Sequence, residues 1–252
     1  IYVYLEQFER TYFDESIFPD LTPNLKRLEK DAISFTNISS PKSTNWTISG
    51  MVASQCGIPL LVPDYRGNSM SGMDQFLPLA HCLGDILTQN GYFLNYIGGS
   101  NLEFAGKGKF YSSHGFDVVE GLEELIEGKT KNLYVSPWGL FDDTLYKIIE
   151  QRYLRLSKEN RPFGIFSLTL DTHHPYGYMS ESCKDLVYLD GKNSILNSVH
   201  CADMMIGKFV DSLRSNSLFD NTTLVISSDH LALKNSASSM LDKGDRKNLF
   251  LI

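Results

Sequence analysis

"WGLFDDTLYKIIEQRYLRLSKENRPFGIFSLTLDTHHP", residues 138–175, decides how this chain is built. Its first part reads as a long helix, residues 138–160. That helix feeds an apolar, β-rich strand, "FGIFSLTL", residues 163–170. The strand stops on polar residues: Asp171, Thr172, His173 and His174. A helix that hands over to a buried strand ending in a carboxylate and two imidazoles is one unit of an α/β sheet with a functional rim.

The same alternation runs outward in both directions. Tyr2–Leu5 reads as a strand. "LTPNLKRLEKD" starts a helix, with Thr22 as N-cap and Pro23 at the first helical position. "AISFTNI", 32–38, reads as a strand. "LPLAHCLGDILTQNG", 77–91, is an amphipathic helix stopped by Gly91 and followed by the strand "YFLNYIGG". "SVHCADMMIGKFVDSLRSN", 198–216, is a helix leading into "TTLVISSD". The polar stretch 175–193 reads as a loop with a hairpin. The expectation is an α/β fold with a mostly parallel central sheet and helices on both faces. No repeat, low-complexity tract or linker divides residues 1–252, so they are expected to form a single domain.

The bulk numbers narrow the function. The 252 residues are 42% hydrophobic and 21% charged, which is globular composition. A net charge of −7 argues against nucleic acid and against a polybasic grip on anionic lipid. No apolar run approaches the roughly 18 residues of a membrane span. The chain opens on "IYVYLE" and closes on "NLFLI", both apolar strands, so we expect a domain excised from a longer protein. Four cysteines (Cys56, Cys82, Cys183 and Cys201) form no CxxC pair, which speaks against a zinc knuckle. They allow three disulfide pairings or four reduced thiols; the local pairing closes two modest loops.

Three strands end in polar groups at one type of position: Glu6 after "IYVYL", Asp171 to His174 after "FSLTL", and Asp229 and His230 after "TLVISS". Any one of these is more often a capping or solvated residue. Their convergence at one rim gives an oxygen-plus-imidazole set suited to Mn²⁺, Mg²⁺ or Zn²⁺. Thr47 lies in "STNWTISGMVASQCGIPL", 43–60. Asn45-Trp46-Thr47 fits a glycosylation sequon, but small apolar residues follow it. A threonine heading a helix can N-cap it or serve as a nucleophile activated by a metal.

"YLEQFERTYFD", "LTPNL", "NWTISGMVASQCGIPL", "NLEFAGKGKFYSSHGFD", "DTHHP" and "SSDHLA", spread in order over nearly the whole chain, resemble the catalytic domains of bacterial phosphoglycerol transferases. These form the lipoteichoic acid synthase-like branch of the alkaline phosphatase/sulfatase superfamily. The resemblance implies a periplasm-facing domain of a Gram-negative inner-membrane protein, anchored by transmembrane segments. It implies one divalent ion, typically Mn²⁺, a phosphatidylglycerol donor and a glycan acceptor, the osmoregulated periplasmic glucan. It assigns Thr47 as nucleophile, with Glu6, Thr47, Asp229 and His230 as metal ligands. His173 matches the phosphate-binding histidine, and His174 is a candidate proton donor. Lys107 stands where the family has a substrate-binding arginine. Asn101 and Trp138 are further candidates for substrate contact. A periplasmic setting implies that the cysteines are oxidised, as Cys56–Cys82 and Cys183–Cys201, and that the sequon is a chance match around a nucleophile. A phosphoethanolamine transferase, a phosphodiesterase or sulfatase-type hydrolase, and a glycan-binding module without catalysis are the alternatives. "TISGM" lacks the Cys/Ser-x-Pro-x-Arg setting of sulfatases.

Overall fold

The computed structural model describes residues 1–42, 44–61, 70, 74–127 and 134–252. In chain order they form β1 (Tyr2–Leu5), α1 (Pro23–Glu29), α2 (Thr47–Cys56), α3 (Leu83–Gln89), β2 (Phe93–Gly98), α4 (Lys107–Ser113), β3 (Val118–Glu120) and α5 (Leu122–Ile126). There follow β4 (Val135–Ser136), β5 (Gly139–Leu140), α6 (Asp142–Leu156), β6 (Phe163–Leu168), α7 (Ser194–Arg214), β7 (Val225–Ser228), α8 (Ser238–Leu241) and β8 (Phe250–Leu251).

The main sheet has the order β3-β2-β6-β1-β7-β8. All neighbours are parallel except β7 and β8, which are antiparallel. β1 lies in the middle and is buried along its whole length. Its alternate residues enter two different cores, as a doubly covered strand requires. Val3 and Leu5 pack with α1, α6 and α7 through Leu25, Leu28, Ile149, Tyr153 and Ile206. Tyr2 and Tyr4 pack with α2 and α4 through Ile48, Met51, Val52, Phe110 and Tyr111. Each fully buried Leu, Ile or Phe contributes about 1.5–3 kcal/mol of transfer free energy, so both faces must be covered. The register sets the rim: Leu5 pairs with Ser228 and Tyr4 with Leu168. Glu6 and Asp229 therefore leave β1 and β7 at one level, with Thr169 one residue lower on the neighbouring strand.

Several sequence expectations need correction. Residues 32–38 make only isolated bridges to the β8 segment, through Ser34 to Leu251 and Ile38 to Asn248. Ile33 and Phe35 stay exposed there, so this stretch is an edge trim and not a strand. The helix expected over 77–91 starts at Leu83, because Cys82 and Asp85 form its capping box. Gly91 does terminate it, with φ +81°. The helix expected from Trp138 starts at Asp142, because the residues before it form the β4–β5 hairpin. Between 175 and 193 there is no hairpin; a single 3₁₀ turn, Glu181–Cys183, is pinned by the Cys183–Cys201 disulfide. Thr22 precedes α1, but its hydroxyl donates to the Tyr12 carbonyl (3.3 Å). Thr47 is the first residue of α2, with Trp46 at the N-cap.

Candidate active site

Glu6 follows β1 and is 1% exposed. Its N–H donates to Thr169 Oγ1 (3.0 Å), and its carbonyl accepts from the Thr172 hydroxyl. Asp229 follows β7; its Oδ1 accepts from the backbone N–H of Gln7 and of His230, both at 2.8 Å. Its Oδ2 is buried and has no hydrogen-bond donor. His230 donates from Nδ1 to the Leu231 carbonyl (2.8 Å), which leaves Nε2 as a bare lone pair. That atom faces Asp229 Oδ2 at 3.3 Å and Glu6 Oε1 at 3.8 Å. One ligand atom from each of Glu6, Asp229 and His230 lies within 4.8 Å of the others.

Burial and charge agree with that grouping. Desolvation, then Asp229, raises the Glu6 pKa to about 7, and desolvation raises Asp229 to about 6. Burial lowers His230 and His173. Two buried carboxylates, one with an orphaned oxygen, beside an imidazole lone pair form a donor set that fits a hard or borderline divalent cation. The hydroxyl of Thr47, at the start of α2, lies 3.4 Å from Glu6 Oε2. Four of the expected site residues are thus brought together.

His173 lies on the same side, with Nε2 3.9 Å from Glu6 Oε1. Its Nδ1–H donates to the His174 carbonyl (2.8 Å). Trp138 stacks on the His173 ring (centroids 3.8 Å), and His173 stacks on His174 (4.5 Å). Trp138 therefore braces the histidine pair, and this face of its ring is taken. Lys107 begins α4 and is 1% exposed; its ammonium donates to the Phe104 carbonyl (3.0 Å) and sits 4.6 Å from the Phe104 ring centre. Burial lowers its pKa to about 8, while Glu6 and Asp229 oppose that shift. Asn101 is used locally: it accepts from the Glu103 N–H (2.7 Å) and donates to Glu123 (2.7 Å), with no bond to the site residues.

Gln7 is the site residue that the sequence did not reveal. It adopts a left-handed backbone, φ +52°, uncommon for a side chain of its size. Its Oε1 accepts from the Leu233 N–H (3.1 Å), so Nε2 must donate. It does so to Glu6 Oε1 (3.0 Å) and to His174 Nδ1 (2.8 Å). His174 is thereby fixed with its own proton on Nε2. A glutamine beside a candidate ligand carries no motif, and only the turn after β1 gives it this role. Asp171, expected at the rim, is fully buried beneath it and accepts from Ser180 Oγ (2.6 Å).

Comparison with known proteins places the fold in a family. The sulfatase family model matches residues 1–250. Phosphoglycerol transferase I of Citrobacter koseri is 43% identical over 254 residues, covering 100% of this chain and 33% of that protein. Phosphoglycerol transferase I of Xanthomonas euvesicatoria is 43% identical over 253 residues, covering 100% of this chain and 36% of that protein. The chain thus spans about a third of the length of these relatives. An alkaline phosphatase superfamily protein from Vibrio parahaemolyticus has the same fold, with a TM-score of 0.77 at 24% identity over 100% of this chain and 59% of that one. The lipoteichoic acid synthase LtaP from Listeria monocytogenes also shares it, with a TM-score of 0.69 at 18% identity over 92% of this chain and 56% of that one. By the family model and by its fold, the chain belongs to the sulfatase family.

Proposed function

We propose that residues 1–252 form the catalytic domain of a metal-dependent phosphoglycerol transferase. It moves phosphoglycerol from phosphatidylglycerol to a glycan, through a phosphoglyceryl-threonine intermediate. The observation that carries this reading is the Thr47 hydroxyl at the start of α2, facing the buried Glu6–Asp229–His230 group. The naming of the relatives at 43% identity supports the transferred group.

Glu6, Asp229, His230 and Thr47 would hold one divalent ion, Mn²⁺ or a similar cation. When bound, such an ion supplies charge neutralisation and lowers the pKa of a coordinated hydroxyl. Thr47 Oγ1 attacks the phosphodiester phosphorus. The first amides of α2 have no intrahelical partner, and this end of the helix favours the anion. Lys107 flanks the group as a counter-charge for the phosphoryl oxygens, with His173 placed to contact the same phosphate. Lysine offers a point charge where an arginine fork would bind two oxygens. His174 carries its proton on Nε2 because Gln7 donates to Nδ1, so we assign its Nε2–H to hydrogen-bond the departing diacylglycerol oxygen, which takes up the proton that Thr47 releases. The glycan hydroxyl then attacks the phosphoglyceryl-threonine, and its proton passes to the departing Thr47 oxygen, which restores the hydroxyl. Two inversions give net retention at phosphorus.

We assign the domain to the periplasmic side of a Gram-negative inner membrane, with its anchor in the remainder of a longer protein and osmoregulated glucan as acceptor. The two disulfides support an oxidising compartment. No helix among the described residues is long and apolar enough to cross a membrane.

Intact-protein mass spectrometry after brief exposure to phosphatidylglycerol should show one added phosphoglyceryl group on Thr47, and phosphatidylethanolamine should add nothing. Thr47→Ala should keep the fold, lose the adduct and lower transfer by at least about 10³-fold. Turnover within about tenfold of wild type would mean that water or another group attacks, and would end the double displacement.

A further inference from the structure

Away from the active site, His114 follows α4 and is 2% exposed. Its Nδ1 lies 2.8 Å from Asp85 Oδ2. The same oxygen accepts from the Cys82 N–H (2.8 Å), and as an acceptor it places the ring proton on Nδ1. Nε2 is then a bare lone pair, and the atom facing it, at 3.8 Å, is Cys82 Sγ. Cys82 is oxidised to the Cys56–Cys82 disulfide, so its sulfur has no proton to give. A buried acceptor aimed at a sulfur that cannot donate is costly in the oxidised state. The mismatch disappears once Cys82 is reduced, because a thiolate beside an imidazolium is a stabilised pair. The two sulfurs also differ in access. Cys82 is fully buried, whereas Cys56, at the end of α2, is half-buried. The other disulfide has both partners inside the main core, Cys183 at 1% and Cys201 at 0% exposure.

We propose that Cys56–Cys82 is a thiol–disulfide exchange site for a dithiol reductant, with Cys56 the sulfur attacked and Cys82 the leaving thiolate held by His114 and Asp85. One thiolate of the reductant forms a bond to Cys56 Sγ, and the Cys56–Cys82 bond breaks with its electron pair on Cys82. The proton released when that reductant thiol ionised is taken up at His114 Nε2. The reductant's second sulfur then attacks its first, releases Cys56 as a thiol with the second proton, and departs as a cyclic disulfide oxidised by two electrons. The site lies at the far end of the helix that begins with Thr47.

The test treats the folded chain with dithiothreitol, quenches by acid, alkylates, and maps each cysteine by mass spectrometry. Cys56–Cys82 should open at least about tenfold faster than Cys183–Cys201. A monothiol should be trapped on Cys56. His114→Asn keeps an N–H for Asp85 in place of Nδ1 and removes the atom that faces the sulfur; it should slow opening about tenfold. Equal opening of the two disulfides, a trapped adduct on Cys82, or an unchanged rate in folded His114→Asn would each overturn the assignment. If circular dichroism shows that variant unfolded, the two wild-type measurements decide.

Discussion

Gly50 has no side chain, yet it sets the distance between Thr47 and Asp229. A Cβ at this position would lie 1.7 Å from the Asp229 carbonyl oxygen, so only glycine lets α2 pack against the end of β7. Gly50→Ala should cost about 3 kcal/mol in a urea titration and at least about 10²-fold in transfer, because it moves Thr47 away from the strand ends. Asp171 makes a different prediction. Burial raises its pKa from 3.8 to about 9, with Asp142 next in effect. A carboxyl whose folded pKa lies above its unfolded value stabilises fully below the unfolded pKa, and the effect is lost as pH rises through the folded one. Asp171→Asn stays neutral and can still accept from Ser180. Its melting temperature relative to wild type should therefore climb between pH 3.8 and about 9. A flat difference would show that Asp171 is ionised throughout.

At the scale of the element, the start of α1 shows capping moved from the chain to a neighbour. Thr22 and Pro23 mark the helix start in the sequence, and α1 begins there. The capping carboxylate comes from α7: Asp203 accepts the N–H of Asn24 (2.9 Å) and of Leu25 (2.8 Å), and the Asn24 side chain as well (2.9 Å). Asp203→Ala leaves these donors beside a buried gap and should cost about 2 kcal/mol. Thr22→Val loses only a 3.3 Å bond to a carbonyl and should cost about 1 kcal/mol or less. Chemical denaturation of the two variants side by side checks the order. Helices and strands with strong periodicity, β1, α7 and β6 among them, were legible in the sequence to within a few residues. The β4–β5 hairpin and the trim at 32–38 were not, because two-residue strands and edge pairing leave no periodic trace.

For the whole molecule, the grouping of two carboxylates with raised pKa values implies a fold that gains stability from a cation. Binding at a hundredfold excess over the dissociation constant is worth about 2.7 kcal/mol, which for a chain of this size is roughly 5–10 °C in melting temperature. Mn²⁺ should produce a shift of that order in wild type, and a chelator should reverse it. Glu6→Gln should abolish most of the shift, while Lys107→Met should retain it, since Lys107 holds no metal in this arrangement. Differential scanning calorimetry with and without Mn²⁺ reads all of these. A shift of equal size in Glu6→Gln would place the cation elsewhere.

The sequence by itself determined the layered α/β arrangement and the mostly parallel direction of the sheet, and it brought Glu6, Asp229 and His230 to one rim, because parallel strands deliver their carboxyl ends there. Motifs spread along the chain made Thr47, Lys107 and His173 candidates through their resemblance to a family. Only the tertiary structure decided that Trp138 braces His173, that Asn101 bonds Glu123 and not a site residue, and that Gln7 sets the His174 tautomer. The reason is physical. A side chain's type follows from its own position, but its partners follow from the register of β1 against β6 and β7 and from how closely α2 and α4 approach them. Contacts between residues 167 positions apart, such as Gln7 and His174, exist only once that register has formed.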